Sequence, residues 1–312
     1  MADISPASAA PILITGGAGF IGSHLADALL ARGYRVRVLD NLSAGKRDNL
    51  AAEVELLIGD VADAAVVRHA LNGCQAVVHL AAVASVQASV DDPVATHQSN
   101  FIGTLNLCEA MREEGVKRVL FASSAAVYGQ NGQGTAITED LPKSPLTPYA
   151  ADKLASEHYL DFYRRQHGLE PAIFRFFNVY GPRQDPSSPY SGVISIFTQR
   201  AQAGQPITVF GDGEQTRDFI YVADLVQLLV QALEAKQVVE GAVNVGLNQV
   251  TSLNQLLAEI GQLVGGLPSV THVEPRAGDI RHSRADNSRL LAHFRLAQPT
   301  PIGVGLAHLL GR

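Results

Sequence analysis

The sequence PILITGGAGFIG, at residues 11–22, sets the frame for the rest of the chain. Its first five residues are mostly apolar and predict a short strand, and glycines spaced three apart then allow a tight turn. A helical pattern of apolar residues continues from this turn to Gly33, and residues 34–39 (YRVRVL) predict a second strand. Strand, glycine turn, helix and strand in this order predict a βαβ unit.

The same alternation of strands and helices continues to about residue 178. It predicts an α/β fold, a Rossmann-type doubly wound parallel sheet with helices on both faces. The further strands are predicted at 54–58, 76–80, 117–123 and 171–177, and the helices at 63–71, 96–114 and 148–167.

The amino-acid composition changes after residue 178, and a loop rich in Gly, Pro, Asp and Ser is predicted over 180–192. Residues 1–178 are therefore predicted as one domain, to which 219–245 also returns, with a smaller mixed α/β region over 179–218 and 246–312. In this second part, helices are predicted at 193–203, 219–235, 253–264, 288–293 and 303–309, and strands at 207–210 and 242–245.

Composition excludes several classes of function. Apolar residues make up 46% of the chain, charged residues 17%, and the net charge of −6 includes no long basic run, which argues against nucleic-acid binding. Cys74 and Cys108 fall in apolar surroundings, without metal-ligand spacing, and no HxxxH pair is present, so we expect buried reduced thiols and no metal site. The start of the chain is unlike a signal peptide and no 18-residue apolar run occurs, so we expect a cytoplasmic protein that does not enter a membrane.

The glycines of the first turn, Gly16, Gly19 and Gly22, are suited to a dinucleotide. They let the backbone approach a pyrophosphate, and the N-terminus of the following helix attracts that anion. Asp40 ends the second predicted strand, 18 residues after Gly22. A carboxylate there can accept the adenosine ribose hydroxyls and repels a 2′-phosphate, which favours NAD over NADP. Asp60, which ends the third strand, is either an adenine contact or a turn residue.

Tyr149 and Lys153 lie four residues apart on a predicted helix, so they share one face, one turn apart. About 0.1 such pairs are expected by chance in a chain of this composition. A buried ammonium beside a phenol favours the phenolate, so we expect Lys153 to lower the pKa of Tyr149 and make it a base for an alcohol. Ser124 follows the fifth predicted strand, at the sheet edge where ligands bind, and is suited to hold the oxygen that Tyr149 deprotonates.

Together these motifs resemble the extended short-chain dehydrogenase/reductase family over nearly the whole chain. The matching segments are TGGAGFIG at 15–22, HLAA at 79–82, SSAAVYG at 123–129, YAADK at 149–153 and RFFNVYGP at 175–182. Within the family, the chain is similar to nucleotide-sugar 4-epimerases of the UDP-galactose type. The resemblance implies that Ser124, Tyr149 and Lys153 are catalytic, and that NAD is bound by Gly16, Gly19, Phe20, Ile21, Gly22, Asp40, Asn41, Asp60, Val61, Leu80, Ala81, Ala82, Asn100, Tyr149 and Lys153.

The resemblance also assigns the later region to a nucleotide sugar. Arg217, in the segment FGDGEQTRDF at 210–219, and Arg276, in RAGD at 276–279, would bind the diphosphate. A small residue such as Ser283 would admit an N-acetyl group that a bulky aromatic excludes there. Ala84 departs from the family, some members of which have a lysine near the phosphates at this place. The substrate residues implied are Ser124, Tyr149, Asn178, Val193, Thr208, Phe210, Arg217, Arg276, Asp279 and Ser283.

Two alanines narrow the reaction that is implied. Sugar-nucleotide 4,6-dehydratases carry an Asp-Glu pair where this chain has Ala125 and Ala126, and UDP-glucuronate decarboxylases usually keep the glutamate. The implied activity is therefore NAD-dependent interconversion of UDP-hexoses at C4, through a 4-keto intermediate. The substrates would be UDP-Glc and UDP-Gal, and also UDP-GlcNAc and UDP-GalNAc. Alternatives that stay open are a UDP-glucuronate 4-epimerase, a 4-keto-sugar nucleotide reductase, and an NAD-binding sensor or scaffold without turnover.

The family usually forms homodimers through the helices predicted here at 96–114 and 148–167. Leu154, His158 and Tyr159 are candidates for this face, although packing in the core explains them equally well.

Overall fold

The first glycine turn lies between a strand and a helix, as the sequence predicts. The computed structural model describes residues 4–131, 134–185, 192–275 and 280–312. In it β1 (Ile12–Thr15) pairs in parallel with β2 (Val36–Asp40), and α1 (Phe20–Ala31) connects the two strands. All of β1 is buried because it has neighbouring strands on both sides and helices over its faces.

A seven-stranded parallel sheet is the centre of the fold, which confirms the predicted doubly wound class. Besides β1 and β2 it contains β3 (Glu55–Ile58), β4 (Ala76–His79), β5 (Arg118–Ser124), β6 (Glu170–Phe176) and β11 (Ala242–Val245). Its spatial order is β11-β6-β5-β4-β1-β2-β3, so the chain starts in the middle of the sheet and extends it first to one edge and then to the other.

Helices cover this sheet and bury an apolar cluster against it. Leu13 and Val77 from the strands pack in one cluster with Leu71, Leu107 and Leu160 from the helices, and each is at most 1% exposed. Each such side chain stabilises the fold by about 1.5–3 kcal/mol relative to exposure. Further helices are α2 (Ala64–Leu71), α3 (Val86–Asp91), α4 (Pro93–His97), α5 (Gly103–Glu114), α6 (Pro148–His167) and α8 (Val222–Glu234).

The long helix predicted over 96–114 is interrupted by a π-helical turn, Gln98–Ile102. Asn100 lies in this turn, where its side-chain amide accepts a hydrogen bond from Val83 N–H (2.7 Å) and donates one to Val83 O (3.2 Å). A π-turn inserts one residue into the helical repeat, and such turns are frequent at functional sites.

The helix predicted over 219–235 begins as a strand. Phe219–Tyr221 forms β10, which pairs in parallel with β7 (Asn178–Tyr180), and only then does α8 begin. Aromatic and β-branched residues favour the strand, and Ile220 is fully buried in it. The remaining elements are α7 (Val193–Gln202), β8 (Ile207–Phe210), β9 (Thr216–Arg217), β12 (Thr251–Ser252), α9 (Leu253–Val264), β13 (Val270–Val273), β14 (His282–Ser283), α10 (Ser288–His293) and α11 (Ile302–Leu309).

The chain forms two compact units, whose boundaries differ from the predicted ones. Residues 128–144, expected in the first domain, belong to the second unit because Ile137 exchanges backbone hydrogen bonds of 2.8 Å with Arg284 and Asp286. Of the segment 219–245, only 226–243 belongs to the first unit. The first unit comprises Met1–Val127, Pro145–Arg175 and Val226–Val243, and the second comprises Tyr128–Ser144, Phe176–Leu225 and Asn244–Arg312.

The two cysteines are buried, as the sequence predicts. Neither Cys74 nor Cys108 forms a disulfide. Within the ranges that the structure describes, no helix has both the length and the apolar character needed to cross a membrane.

Candidate active site

The glycine turn brings the backbone of three segments together in the first unit. Gly16 has a positive φ of 69°, and its N–H donates to Leu39 O at 2.8 Å. A Cβ at Gly16 would stand 2.7 Å from Ala81 N, so no larger residue fits. Gly19, Phe20, Ile21 and Gly22 lie where the turn becomes α1, and N–H groups in the first turn of a helix have no acceptor within it. Such groups bind phosphate well.

Asp40 is fixed beside this turn. Its carboxylate is buried at the end of β2, where Oδ2 accepts a hydrogen bond from Ala18 N–H (2.9 Å) and Oδ1 accepts one from Leu42 N–H (2.8 Å). Both oxygens keep further lone pairs for ribose hydroxyls. At the adjacent strand ends, Asn41 Nδ2 donates to Asp60 Oδ2 at 2.9 Å. The predicted residues of β2 and β3 are thus brought to one edge of the sheet.

The segment after β2 also contacts the turn, although no local sequence signal indicates this contact. Lys46 N–H and Asn49 Nδ2 both donate to Ala18 O, at 3.0 and 2.9 Å. A Cβ at Gly45 would stand 2.9 Å from Asp40 Oδ1. The sequence gives only a turn-like composition here, so these contacts depend on the tertiary fold.

A chain of hydrogen bonds links the glycine-turn strand to Asn100. His79, almost fully buried, bonds through Nδ1 to Thr15 Oγ1 (2.6 Å) and through Nε2 to Thr104 Oγ1 (3.0 Å). Because the Thr104 hydroxyl donates to the Asn100 carbonyl (2.6 Å), it must accept from His79 Nε2–H, and Nδ1 must then accept from Thr15. Burial, and secondarily the charge of Lys153, lowers the pKa of His79 to about 3, so the ring is neutral.

The other residues assigned to the cofactor lie around this chain of bonds. Leu80 N–H donates to Thr15 O (3.1 Å), and Ala81 N–H donates to Thr15 Oγ1 (3.3 Å). Val61 is buried, and its carbonyl accepts a hydrogen bond from Asn106 Nδ2 at 3.1 Å. Ala82 is half-buried after β4. Their positions at the carboxyl ends of neighbouring strands are typical of a nucleotide crevice.

Tyr149 and Lys153 lie in the first turns of α6. Thr147 caps this helix by accepting a hydrogen bond from Ala150 N–H, and Pro148 occupies its first position. Tyr149 is 9% exposed and Lys153 is 2% exposed. Lys153 Nζ lies 5.9 Å from the centre of the Tyr149 ring and 4.8 Å from that of Phe121. The predicted pair is therefore brought together in a buried setting.

Ser124 completes this group and helps to define its electrostatics. It hydrogen-bonds Tyr149, and this bond lowers the pKa of Tyr149, but burial outweighs it and raises that pKa overall. The sequence predicts that Lys153 lowers the pKa of Tyr149, whereas in the structure this pKa is raised. Burial lowers the pKa of Lys153 to about 8, opposed by the charges of Asp152 and Glu157, so this side chain is mostly an ammonium at pH 7.

The second unit contains a cavity of about 310 Å³ lined by predicted substrate residues. It brings together Asn178, Val193, Thr208, Phe210 and Arg217. Residues that the sequence does not assign to the substrate complete the wall. Val179, Tyr180 and Phe219 lie within the quoted motifs RFFNVYGP and FGDGEQTRDF, whereas the others lie outside any motif: Gln184, Gly192, Ile194, Phe197 and Leu253.

Ser283 lies beside Arg217 without lining this cavity. Strand β14 pairs in parallel with β9, with Ser283 opposite Arg217 and His282 opposite Thr216. Because the Thr216 hydroxyl bonds His282 Nδ1 (3.0 Å), these two side chains share one face, and Arg217 and Ser283 share the other. Arg276 and Asp279, which were also assigned to the substrate, lie outside the described residues.

Gly22→Ala tests the fit of the glycine turn. A Cβ at Gly22 would stand 2.4 Å from Gly16 O and 2.6 Å from Gly17 Cα, and neither backbone atom can move without deforming the turn. We expect a loss of folding stability of about 1–3 kcal/mol and at least about tenfold weaker NAD binding, measured by thermal unfolding and calorimetry. Gly303→Ala in α11 is the control, because its Cβ would meet the flexible Glu259 carboxylate. Unchanged NAD affinity in Gly22→Ala would contradict this assignment.

Known proteins match most of the length of this chain. The NAD dependent epimerase/dehydratase family model matches residues 12–246. UDP-glucose 4-epimerase of Mycolicibacterium smegmatis is 41% identical over 289 residues, 89% of this chain and 90% of that protein. The crystal structure of Thermus thermophilus UDP-glucose 4-epimerase complexed with NAD has a TM-score of 0.89 and 39% identity, covering 96% of this chain and 99% of that chain.

Relatives with other substrates and reactions are also similar. UDP-N-acetylglucosamine 4-epimerase from Methanobrevibacter ruminantium, solved with UDP-N-acetylmuramic acid, has a TM-score of 0.91 and 36% identity over 97% of both chains. Nucleotide-sugar decarboxylases and a 5,6-dehydratase match as well. Since the family model and these relatives cover most of its length, the chain is an enzyme of the NAD dependent epimerase/dehydratase family, within the extended short-chain dehydrogenases/reductases, and its cofactor is NAD.

Proposed function

We propose that this protein interconverts UDP-hexoses at C4. The observation that carries the proposal is the composition of the turn after β5, a 3-10 helix spanning Ala125–Tyr128. Ser124 before it contacts Tyr149, while Ala125 and Ala126 supply no acid or base. The chain thus offers one proton acceptor at an alcohol, and elimination or decarboxylation would lack the carboxylates that the resemblance places here.

The residues of the first unit fit NAD. The glycine turn accommodates a closely approaching backbone or phosphate because a Cβ at Gly16 or Gly22 would collide with main-chain atoms. We assign Asp40, whose carboxylate is held by Ala18 N–H and Leu42 N–H, to the adenosine ribose, and Lys153 to the nicotinamide ribose. When bound, NAD supplies reversible hydride acceptance at C4 of the sugar.

The chain's own groups carry the proton chemistry. Tyr149 takes the proton from the 4-hydroxyl and later returns it, and Ser124 orients the 4-oxygen. Lys153, as an ammonium beside the phenol, favours its ionised form against the effect of burial. Epimerisation also requires the 4-keto sugar to rotate, so that its opposite face is presented for reduction. The nucleotide must therefore be held firmly, which we assign to Arg217, Asn178 and the cavity of the second unit.

We infer that UDP-GlcNAc and UDP-GalNAc are substrates as well as UDP-Glc and UDP-Gal. Ser283 is small and shares a sheet face with Arg217, a residue of the cavity wall. A similar protein, from Methanobrevibacter ruminantium, is a UDP-N-acetylglucosamine 4-epimerase. Relatives that act on UDP-glucose have the same fold, so sequence similarity alone does not select the sugar.

One experiment tests the reaction. The purified protein is incubated, without added cofactor, with UDP-GlcNAc, UDP-Glc and UDP-GlcA in separate reactions, and the products are separated by chromatography. We expect the C4 epimers of UDP-GlcNAc and UDP-Glc. Conversion of UDP-GlcA alone would identify a glucuronate 4-epimerase, and UDP-xylose would identify a decarboxylase. Absence of any product would contradict the epimerase proposal and favour a reductase or a non-catalytic NAD-binding protein.

We also propose that the protein is a homodimer that associates through α6 and the segment 96–114. Tyr159 and Phe162 on α6 are each 43% exposed, and the Tyr159 ring packs edge-on against Phe101, with 5.0 Å between ring centres. His158 is exposed on the same helix, and Leu154 is half-buried. Exposed aromatic side chains on one face are typical of a protein interface. Light scattering after size-exclusion chromatography measures this directly, and a monomeric mass would contradict it.

A further inference from the structure

Three residues on one face of α6 are buried in succession. Tyr149, Lys153 and Glu157 are spaced four apart, and none is more than 9% exposed. The first two belong to the proposed active site, whereas Glu157 has no assigned role. A buried carboxylate is costly unless its charge is compensated, so its partners show what holds it there.

Glu157 is bound to two strands of the sheet. Its Oε1 accepts hydrogen bonds from Ser123 Oγ (2.5 Å) and Arg175 Nε (2.9 Å), and its Oε2 accepts one from Arg175 Nη2 (2.6 Å). Arg175, on β6, is itself 5% exposed. The two-point pairing with a guanidinium fixes the direction of the carboxylate as well as its distance.

The contacts of β5 connect this pair to the reacting groups. Ser123 donates to Glu157, while the next residue, Ser124, contacts Tyr149. Two neighbouring serines therefore bind α6 at positions two helical turns apart. This arrangement fixes the register of α6 against the end of β5, where the 4-oxygen of the sugar would be held.

Lys153 lies between these two attachment points and carries a buried positive charge. Asp152 and Glu157 favour its charged form, in that order, against the effect of burial. Asp152 Oδ1 bonds the half-exposed His97 ring (2.7 Å), whereas Glu157 is held wholly by buried groups. The titratable and charged groups around Lys153 are Tyr149, Asp152 and Glu157 on α6, neutral His79 on β4, and, through their partners, His97 and Arg175.

We propose that Glu157, fixed by Ser123 and Arg175, is a positioning residue that keeps Lys153 charged one helical turn away and so supports proton transfer at Tyr149. This role rests on the proposed function for its catalytic consequence. Its effect on Lys153, however, is a property of the protein without substrate. The protonation of Lys153 and the rate of epimerisation can therefore be measured separately.

The experiment compares Glu157→Gln with the wild type. The glutamine side chain has the same shape as glutamate, and its amide oxygen can still accept hydrogen bonds. The substitution therefore removes the negative charge of Glu157. The purified proteins are acetylated with acetic anhydride over a range of pH, and mass spectrometry after proteolysis follows each lysine. Because only the neutral amine reacts, the midpoint for Lys153 reports its protonation. We expect this midpoint to fall by about one pH unit, and the alkaline limb of kcat/KM for epimerisation to fall with it.

Glu170→Gln is the matched control. Glu170 pairs with another fully buried guanidinium of the first unit, that of Arg118, through bonds of 2.9 and 3.2 Å. It lies at the start of β6 and is not among the groups around Lys153. We expect both substitutions to lower thermal stability, because each leaves a buried guanidinium without its carboxylate, and Glu170→Gln to leave the Lys153 midpoint unchanged.

A second variant changes the charge of Glu157 through its partner. Arg175→Gln removes the cation that compensates Glu157, so the Lys153 midpoint is expected to rise if the carboxylate stays ionised and to fall if the buried carboxylate takes up a proton. This variant decides the question if Glu157→Gln does not fold. Midpoints that stay within about 0.3 pH units of the wild type in the folded variant would overturn the proposal. A shifted midpoint in a protein that epimerises nothing would instead uphold it and contradict the proposed reaction.

Discussion

Tyr149→Phe is expected to lower kcat for epimerisation by about 10³-fold, within the range that loss of a general base produces. The phenylalanine ring can occupy the same buried space, but it cannot take the proton from the 4-hydroxyl. It also cannot make the hydrogen bond with Ser124. KM for the UDP-sugar is expected to change by less than about threefold, because a loss confined to the transition state leaves ground-state binding intact.

Tyr159→Phe is the matched control for this substitution. Tyr159 lies on the same helix, but it is 43% exposed and packs against Phe101 and Phe162 rather than Ser124. The control should retain wild-type kcat, and NAD binding by both variants should be measured by calorimetry. A Tyr149→Phe protein that binds NAD normally and retains a tenth or more of the wild-type kcat would show that another group accepts the proton.

The sequence predicts those helices and strands whose start and end signals lie within the element or next to it. The helix predicted over 148–167 has those bounds because a capping threonine, a proline in the first turn and a glycine after the last turn all lie within it or beside it. The sequence predicts Asp40 at the end of β2, and the structure has it there beside the glycine turn, because this position follows from βαβ order alone. These signals need no knowledge of distant contacts.

The features that the sequence does not predict depend on contacts between residues that are distant in sequence. Phe219–Tyr221 was expected to be helical because its strand partner, Asn178–Tyr180, is far away in sequence. No local signal indicates that Glu157 and Arg175 pair, because a charged residue on a helix or strand is normally exposed and these two meet only in the fold. The direction of the Tyr149 pKa was wrong for a similar reason, since spacing indicates a neighbouring ammonium but not how deeply both groups are buried.

Ser283→Tyr is expected to separate the two classes of substrate. Ser283 shares a sheet face with Arg217, so an aromatic ring at this position would occupy space beside a side chain of the proposed nucleotide cavity. UDP-Glc has a hydroxyl where UDP-GlcNAc has the larger N-acetyl group. Overfilling a closely packed site by several heavy atoms excludes a ligand far more effectively than removing a contact weakens one.

The measurement is kcat/KM for UDP-Glc and UDP-GlcNAc with the same enzyme preparation. We expect Ser283→Tyr to lower the value for UDP-GlcNAc by about 100-fold or more while changing that for UDP-Glc by less than about fivefold. Ser283→Ala, which keeps the side chain small, should retain both activities and so controls for loss of the hydroxyl. Equal losses on both sugars in Ser283→Tyr would mean that the ring disturbs the β9–β14 pair that positions Arg217, and that sugar selection is made elsewhere. A selective loss would locate the limit on the size of the sugar at this strand, because Ser283→Tyr and the wild type differ at no other residue.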